Sequence, residues 1–204
     1  MAGQLLADIR AKDQIEIEVE PVDPQIPRAF EIAGQGRLSA EVLAQLAEHS
    51  TVVYLHFPLN LIEQRQRLLD FTEPLRQVGG IAIKLESTGI AHSWERWEQL
   101  LRGTTFDNYC AAVVLVGDKS LCYSCGMHLF GLPECVAPRS LGMDEAADLM
   151  NRFNYWQILD RPVLADGHTF SLTESSPRFR LCLETDTRHD PDHLFHNPFG
   201  VWRL

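Results

Sequence analysis

Apolar and acidic side chains alternate strictly from residue 15 to residue 20, with Ile15, Ile17 and Val19 falling to one side of an extended chain and Glu16, Glu18 and Glu20 to the other. A period of two is the mark of a half-buried strand, so this stretch predicts a strand with an acidic outer face. Pro21, Pro24 and Pro27 then end it in a loop. The period changes beyond them: Val42, Leu43, Leu46 and Ala47 share one face of a helix, and Ser39 stands where an N-cap belongs. The run T-V-V-Y-L-H-F at 51–57 is continuously apolar and predicts a strand covered on both sides. Asn60 is expected to cap the next helix, with Glu63 in the reciprocal capping position and Leu61, Leu68 and Leu75 inward, before Gly79 and Gly80 stop it. Residues 80–86 read as another strand. Ser93 opens a short helix carrying Trp94, Trp97 and Leu101 on one face and ending at Gly103.

The second half repeats this mixture. Residues 111–116, A-A-V-V-L-V, predict a buried strand, and Gly117-Asp118 a turn into a partner strand over 121–130. A helix follows with Asp144 and Glu145 in its first turn, where negative charge suits the positive helix end, and with Met143, Ala147, Met150 and Phe153 inward. Closing strands are expected near 162–172 and 178–184; in the second, Phe179, Leu181 and Leu183 alternate with polar residues. Strands occur both in adjacent pairs and between helices. The expectation is therefore an α+β fold of mixed, largely antiparallel sheets with helices packed on them, and not a doubly wound sheet. The 204 residues fit one domain over 1–204, with subdomains at 1–105 and 106–204 left open.

Composition narrows the function classes. A formal charge of -10 disfavours nucleic acid as a direct ligand, because phosphates are bound by clustered Lys and Arg. The first ten residues hold only a short apolar stretch and include Asp8, so they predict neither a signal peptide nor a membrane span, and the chain is expected in the cytoplasm. Cys110, Cys122, Cys125, Cys135 and Cys182 are odd in number and lie in apolar contexts, which predicts free, buried thiols and not a disulfide framework.

Two constellations raise the question of chemistry. C-Y-S-C-G-M-H at 122–128 offers Cys122, Cys125 and His128, but a structural zinc needs four ligands from two knuckles, and here there is one. On a strand, Cys122 and Cys125 point to opposite faces, and nothing nearby reads as the helix start a redox pair needs. H-D-P-D-H-L-F-H at 189–196 could place His193 and His196 on one side of a helical turn begun by Asp190 and Pro191, with His189 or Asp192 beside them, and so hold a divalent ion. A polar closing segment tacked down by Phe195, Phe199 and Trp202 is the simpler reading. A metal-dependent enzyme built on either group stays as the alternative. His56 and His92 read as hydrogen-bonded core histidines, and nucleotide-binding and hydrolase motifs are absent. The expectation is a chain that is not an enzyme and carries no cofactor.

The acidic clusters are the remaining lead. Glu16, Glu18 and Glu20, then Asp144, Glu145 and Asp148, then Asp186, Asp190 and Asp192 are the candidate partner-binding residues, able together to steer a basic partner and pair with its Lys and Arg.

G-M-H-L-F-G-L-P-E-C-V-A at 126–137, with its Gly131, Pro133 and Glu134 turn, and V-L-A-D-G-H-T-F-S at 163–171 resemble a bacterial domain family of unknown function numbered 4261. The stretches at 51–58 and 81–94 are similar to that family's first half, so the likeness covers most of residues 50–185. The resemblance implies an immunity role, in which a cytoplasmic protein binds and silences a cognate secreted toxin of a type VI or contact-dependent system. It supplies no catalytic residues. The partner expected on this basis is a basic toxin protein, a nuclease; no direct nucleic acid or membrane contact is expected, and a homodimer is left open.

Overall fold

The computed structural model describes residues 4–117, 122–138 and 140–204. The chain is α+β, as the alternation of periods predicts. It divides into two compact units, one of residues 1–85 and 89–104, the other of residues 86–88 and 105–204.

The first unit contains, in chain order, β1 (Gln4–Asp8), β2 (Asp13–Pro21), α1 (Ile26–Gly34), α2 (Ala40–Ala47), β3 (Thr51–His56), α3 (Leu61–Gln77), β4 (Ile83–Leu85), β5 (Ile90–His92) and α4 (Trp94–Arg102). β1, β2 and β3 form an antiparallel sheet with β2 in the middle, while β4 and β5 pair as a separate hairpin. Ile26, Phe30 and Ala33 of α1 pack with Leu38, with Leu46 of α2 and with Ala91, and Val52 joins them from β3. Trp94 and Trp97 bury their rings and keep their indole N–H groups satisfied, donating to the Gly80 carbonyl at 2.6 Å and the Thr72 hydroxyl at 3.2 Å. Arg67 of α3 grips the Asp13 carboxylate through both its Nε and Nη2.

Ser39 and Ser93 cap α2 and α4 as predicted, each side chain accepting from the N–H three residues on. Five expectations need correction. The proline-rich loop after β2 gives way to α1, because Pro27 sits in the first turn, where its missing N–H costs nothing. β3 is an edge strand, so Thr51, Val53 and His56 are exposed where two-sided cover was expected. Asn60 adopts a left-handed backbone (φ 86°) and makes no capping bond. The strand expected over 80–86 shortens to β4, and the buried residues of α3 are Leu61, Leu69, Phe71 and Thr72 in place of Leu61, Leu68 and Leu75.

The second unit contains α5 (Thr105–Ala112), β6 (Val114–Gly117), β7 (Cys122–Cys125), a 3₁₀ turn (Met127–Phe130), β8 (Glu134–Ala137), α6 (Met143–Asp160), β9 (Thr169–Phe170), β10 (Phe179–Arg180), β11 (Cys182–Glu184) and β12 (Val201–Arg203). Its five-stranded sheet runs β11-β12-β8-β7-β6, with β12 parallel to β8 and the other neighbours antiparallel. α6 lays Ala146, Leu149, Met150 and Phe153 on Cys135, Ala137, Leu181, Trp202 and Leu204. Met143 is therefore not inward but 59% exposed, and the helix turns position 146 to the core in place of 147. Ala111 and Ala112 end α5 instead of starting a strand, and β7 stops at Cys125 because Gly126 (φ 124°) turns the chain into the 3₁₀ segment. The turn expected at Gly117-Asp118 falls partly outside the described residues. The long closing strands reduce to β9, β10 and β11. The strand that completes the sheet, β12, lies in the last four residues, which carry no periodic signal.

Candidate functional site

Two arrangements of polar groups compete for a functional reading, and each must be built from its backbone. The first is in the second unit. Gly126 holds a positive φ, and a Cβ there would lie 2.1 Å from the Ala112 carbonyl oxygen, so glycine is required. The turn it makes aims three successive N–H groups at one point. Glu134, at the start of β8 and fully buried, fills that point: its Oε1 accepts from Gly126 N at 2.9 Å, Met127 N at 2.8 Å and, at the longer 3.4 Å, His128 N. The same oxygen accepts from Asn197 Nδ2 at 3.1 Å and faces His128 Nδ1 at 3.4 Å. Its Oε2 accepts from the Ser124 hydroxyl at 2.7 Å, which accepts in turn from Cys135 N.

Asn197 carries the network to a second carboxylate. Its backbone N–H donates to Asp186 Oδ2 at 3.0 Å, and Arg188 takes both Asp186 oxygens at 2.8 and 3.0 Å while its guanidinium lies 4.6 Å from the centre of the Tyr123 ring. Burial alone would push the Asp186 carboxyl up, but the Arg188 guanidinium and the N–H groups of Asn197 and Arg188 outweigh it and hold the group at about 2. These bonds pin the irregular chain of 185–200 onto the sheet. Both oxygens of Glu134 accept hydrogen bonds, and Glu134, Asp186 and Asn197 are all buried, whereas two clefts, about 340 Å³ at Arg28, Ile32, Leu38 and Leu43 and about 210 Å³ at Arg65, Leu69, Leu101 and Arg102, are lined by the first unit. The network is a staple for backbone, not an open site.

The thiols and imidazoles proposed as metal ligands do not converge. Cys122 Sγ lies 3.5 Å from Met143 Sδ, Cys125 Sγ is 4.0 Å from the Ser87 carbonyl, and His128 turns its Nδ1 to Glu134. Burial pushes the Cys125 thiol up to about 12 and raises that of Cys135 as well, so both are protonated near neutral pH. His189 and His193 stack face to face with centroids 4.9 Å apart, and both rings make T-shaped contacts with Phe195. Desolvation lowers the pKa of His189. His193 Nδ1 accepts from Phe195 N, and His196 joins only through its backbone N–H, which donates to the His193 carbonyl. Among the described residues, no group of three His, Cys, Asp or Glu side chains is gathered as a metal would require. His92 is buried against Trp97 as expected, but His56 is half-exposed on the edge strand, its Nε2 3.4 Å from Glu18.

The second arrangement is the acidic face of β2. Opposed residues of an antiparallel pair share a face, so Glu16, Glu18 and Glu20 stand in a row with Leu5 on β1 and with His56, Tyr54 and Val52 on β3. All three glutamates are exposed, and among the described residues no cation pairs with Glu16 or Glu20. On the opposite face Val19 and Val53 oppose each other while 43% and 36% exposed. The other candidate carboxylates differ. Asp144 and Glu145 are exposed in the first turn of α6; Asp148 is exposed but paired with Arg152 at 2.9 Å. Asp190 and Asp192 are exposed in the turns after Arg188. Asp186 is a correction: it is 3% exposed and spent on Arg188 and Asn197, so it offers nothing to a partner.

Sequence reasoning missed the role of Glu134, which it placed in a turn. The signal was a lone carboxylate opening the apolar run E-C-V-A eight residues after a glycine. Among the described residues no helix is long and apolar enough to cross a membrane. No family model, characterised protein or solved structure matches this chain, so the likeness seen at 51–58, 81–94, 126–137 and 163–171 stands on those residues alone.

Proposed function

We propose that this chain is a cytoplasmic immunity protein that binds and sterically inhibits a cognate secreted bacterial toxin, a basic nuclease effector of a type VI or contact-dependent system. The observation that carries the reading is the row Glu16, Glu18 and Glu20, set on one face of the central strand of a sheet, with no cation paired to Glu16 or Glu20 among the described residues. Pre-oriented, unneutralised carboxylates raise the encounter rate with a basic surface and set its register. Exposed Val19 and Val53 on the other side of the same strands supply apolar area that a partner can desolvate. The polar network of the second unit supports the same reading by what it spends: its carboxylates are saturated by internal donors, which suits a scaffold more than a catalyst. The test is co-expression with the product of the neighbouring gene. A one-to-one complex that suppresses that protein's nuclease activity is expected; purification of the two proteins without association sinks the reading.

A further inference from the structure

In an antiparallel ladder, opposed residues alternate between pairs that exchange hydrogen bonds and pairs whose N–H and C=O groups point away from one another. Pro21 has no N–H to exchange, so Pro21 opposite Thr51 is a pair of the second kind. The register runs without a break, which makes Val19 opposite Val53 and Ile17 opposite Leu55 pairs of the second kind too. The backbone groups of Thr51, Val53 and Leu55 therefore point away from β2, and β3 is the last strand of its sheet among the described residues. Proteins blunt such edges with Lys, Pro or inward charge, and T-V-V-Y-L-H contains none of these.

The two faces beside this edge are chemically distinct. One presents Val53 next to exposed Val19. The other presents His56 next to Glu16 and Glu18; at its Val52 end this face packs toward α1 and α2, which leaves Glu16 and Glu18 as its open part. Strands lie about 4.8 Å apart, so a residue on an added strand would stand roughly 10 Å from the β2 row, within the joint span of a Lys or Arg and a Glu side chain. We infer that the outer edge of β3 is a strand-addition site for an extended basic segment of the partner, in which Lys or Arg alternates with β-branched apolar residues. The basic side chains meet Glu16 and Glu18, and the apolar ones cover Val53 and Val19. This rests on the partner-binding reading above and specifies how the partner is held.

The probe is a fluorescein-labelled peptide K-V-K-V-K-V-K, titrated into the full chain at low ionic strength, with E-V-E-V-E-V-E as control. Saturable binding of the basic peptide alone is expected, with amide exchange at Thr51, Val53 and Leu55 slowed at least about tenfold. Val53→Pro removes an outward donor while leaving the β2 ladder intact, and is expected to weaken binding by about tenfold or more. Unchanged exchange at those three amides, no saturable binding, or full affinity in V53P overturns the inference; should V53P fail to fold, the exchange measurement on the unaltered chain decides. A complex with the neighbouring gene product that leaves these amides unprotected removes the edge and spares the immunity reading. Peptide protection without any such complex does the reverse.

Discussion

Glu134 shows how one side chain organises a segment of backbone. Its carboxylate replaces the solvent that the N–H groups of Gly126 and Met127 and the amide of Asn197 would otherwise need, in a place water does not reach. Truncation leaves those donors buried and unpaired, so E134A is expected to cost about 3–5 kcal/mol in urea denaturation. E134Q keeps one acceptor oxygen and is expected to cost clearly less. Asp186 makes a different prediction. Its pKa is held at about 2, below the ordinary 3.8, so its stabilisation is present above pH 4 and is lost as pH falls toward 2. That contribution is roughly 2 kcal/mol. The thermal midpoint of the natural chain should fall more steeply over this window than that of D186N, which starts lower because Arg188, largely buried, loses its counter-ion.

At the scale of elements, the caps and periods were legible and the interruptions were not. Ser39 and Ser93 act within three residues of themselves, so local sequence suffices. The break of β7 at Gly126 depends on an approach to Ala112, fourteen residues away, and no window of sequence contains that contact. This distinction is measurable. G126A must force a Cβ into the Ala112 carbonyl as well as strain φ, and is expected to lose more than about 3 kcal/mol of stability. G36A shares a positive φ (74°) but meets nothing within 4 Å, so it should cost only about 1 kcal/mol. β12 was illegible for a related reason: three residues cannot display a period, and they become a strand only because β8 and β11 flank them. The C-x-x-C spacing was read correctly as strand, and its alternation separates the two sulfurs, one beside Met143 and the other beside Ser87.

For the whole molecule, net charge sets the terms of association. At -10 the chain repels polyanions and attracts cations from any direction, but only fixed, unpaired carboxylates convert that field into an orientation. Among the nine candidate carboxylates, Asp186 is buried and Asp148 is paired with Arg152; of the seven others, only Glu16, Glu18 and Glu20 stand in one row on a strand. Replacing Glu16, Glu18 and Glu20 with Gln is expected to slow association with the neighbouring gene product about tenfold at low salt and to flatten its salt dependence, with little change in thermal midpoint. Stopped-flow measurement at two ionic strengths checks this; an unchanged association rate would move the contact elsewhere on the surface.

The sequence by itself determined the α+β class, the two capped helices and the acidic row of β2, because each follows from residues within a turn or two of one another. Only the tertiary structure decided which carboxylates were available. Asp186 and Glu134 look no different in sequence from Glu16 and Glu18, yet the former are drawn inside by Arg188, Asn197 and a glycine turn brought from distant positions, and the latter stay outside because Ile15 and Ile17, which alternate with them, take the opposite face. Burial of a charge is settled by the partners that reach it, and those partners are gathered by the fold.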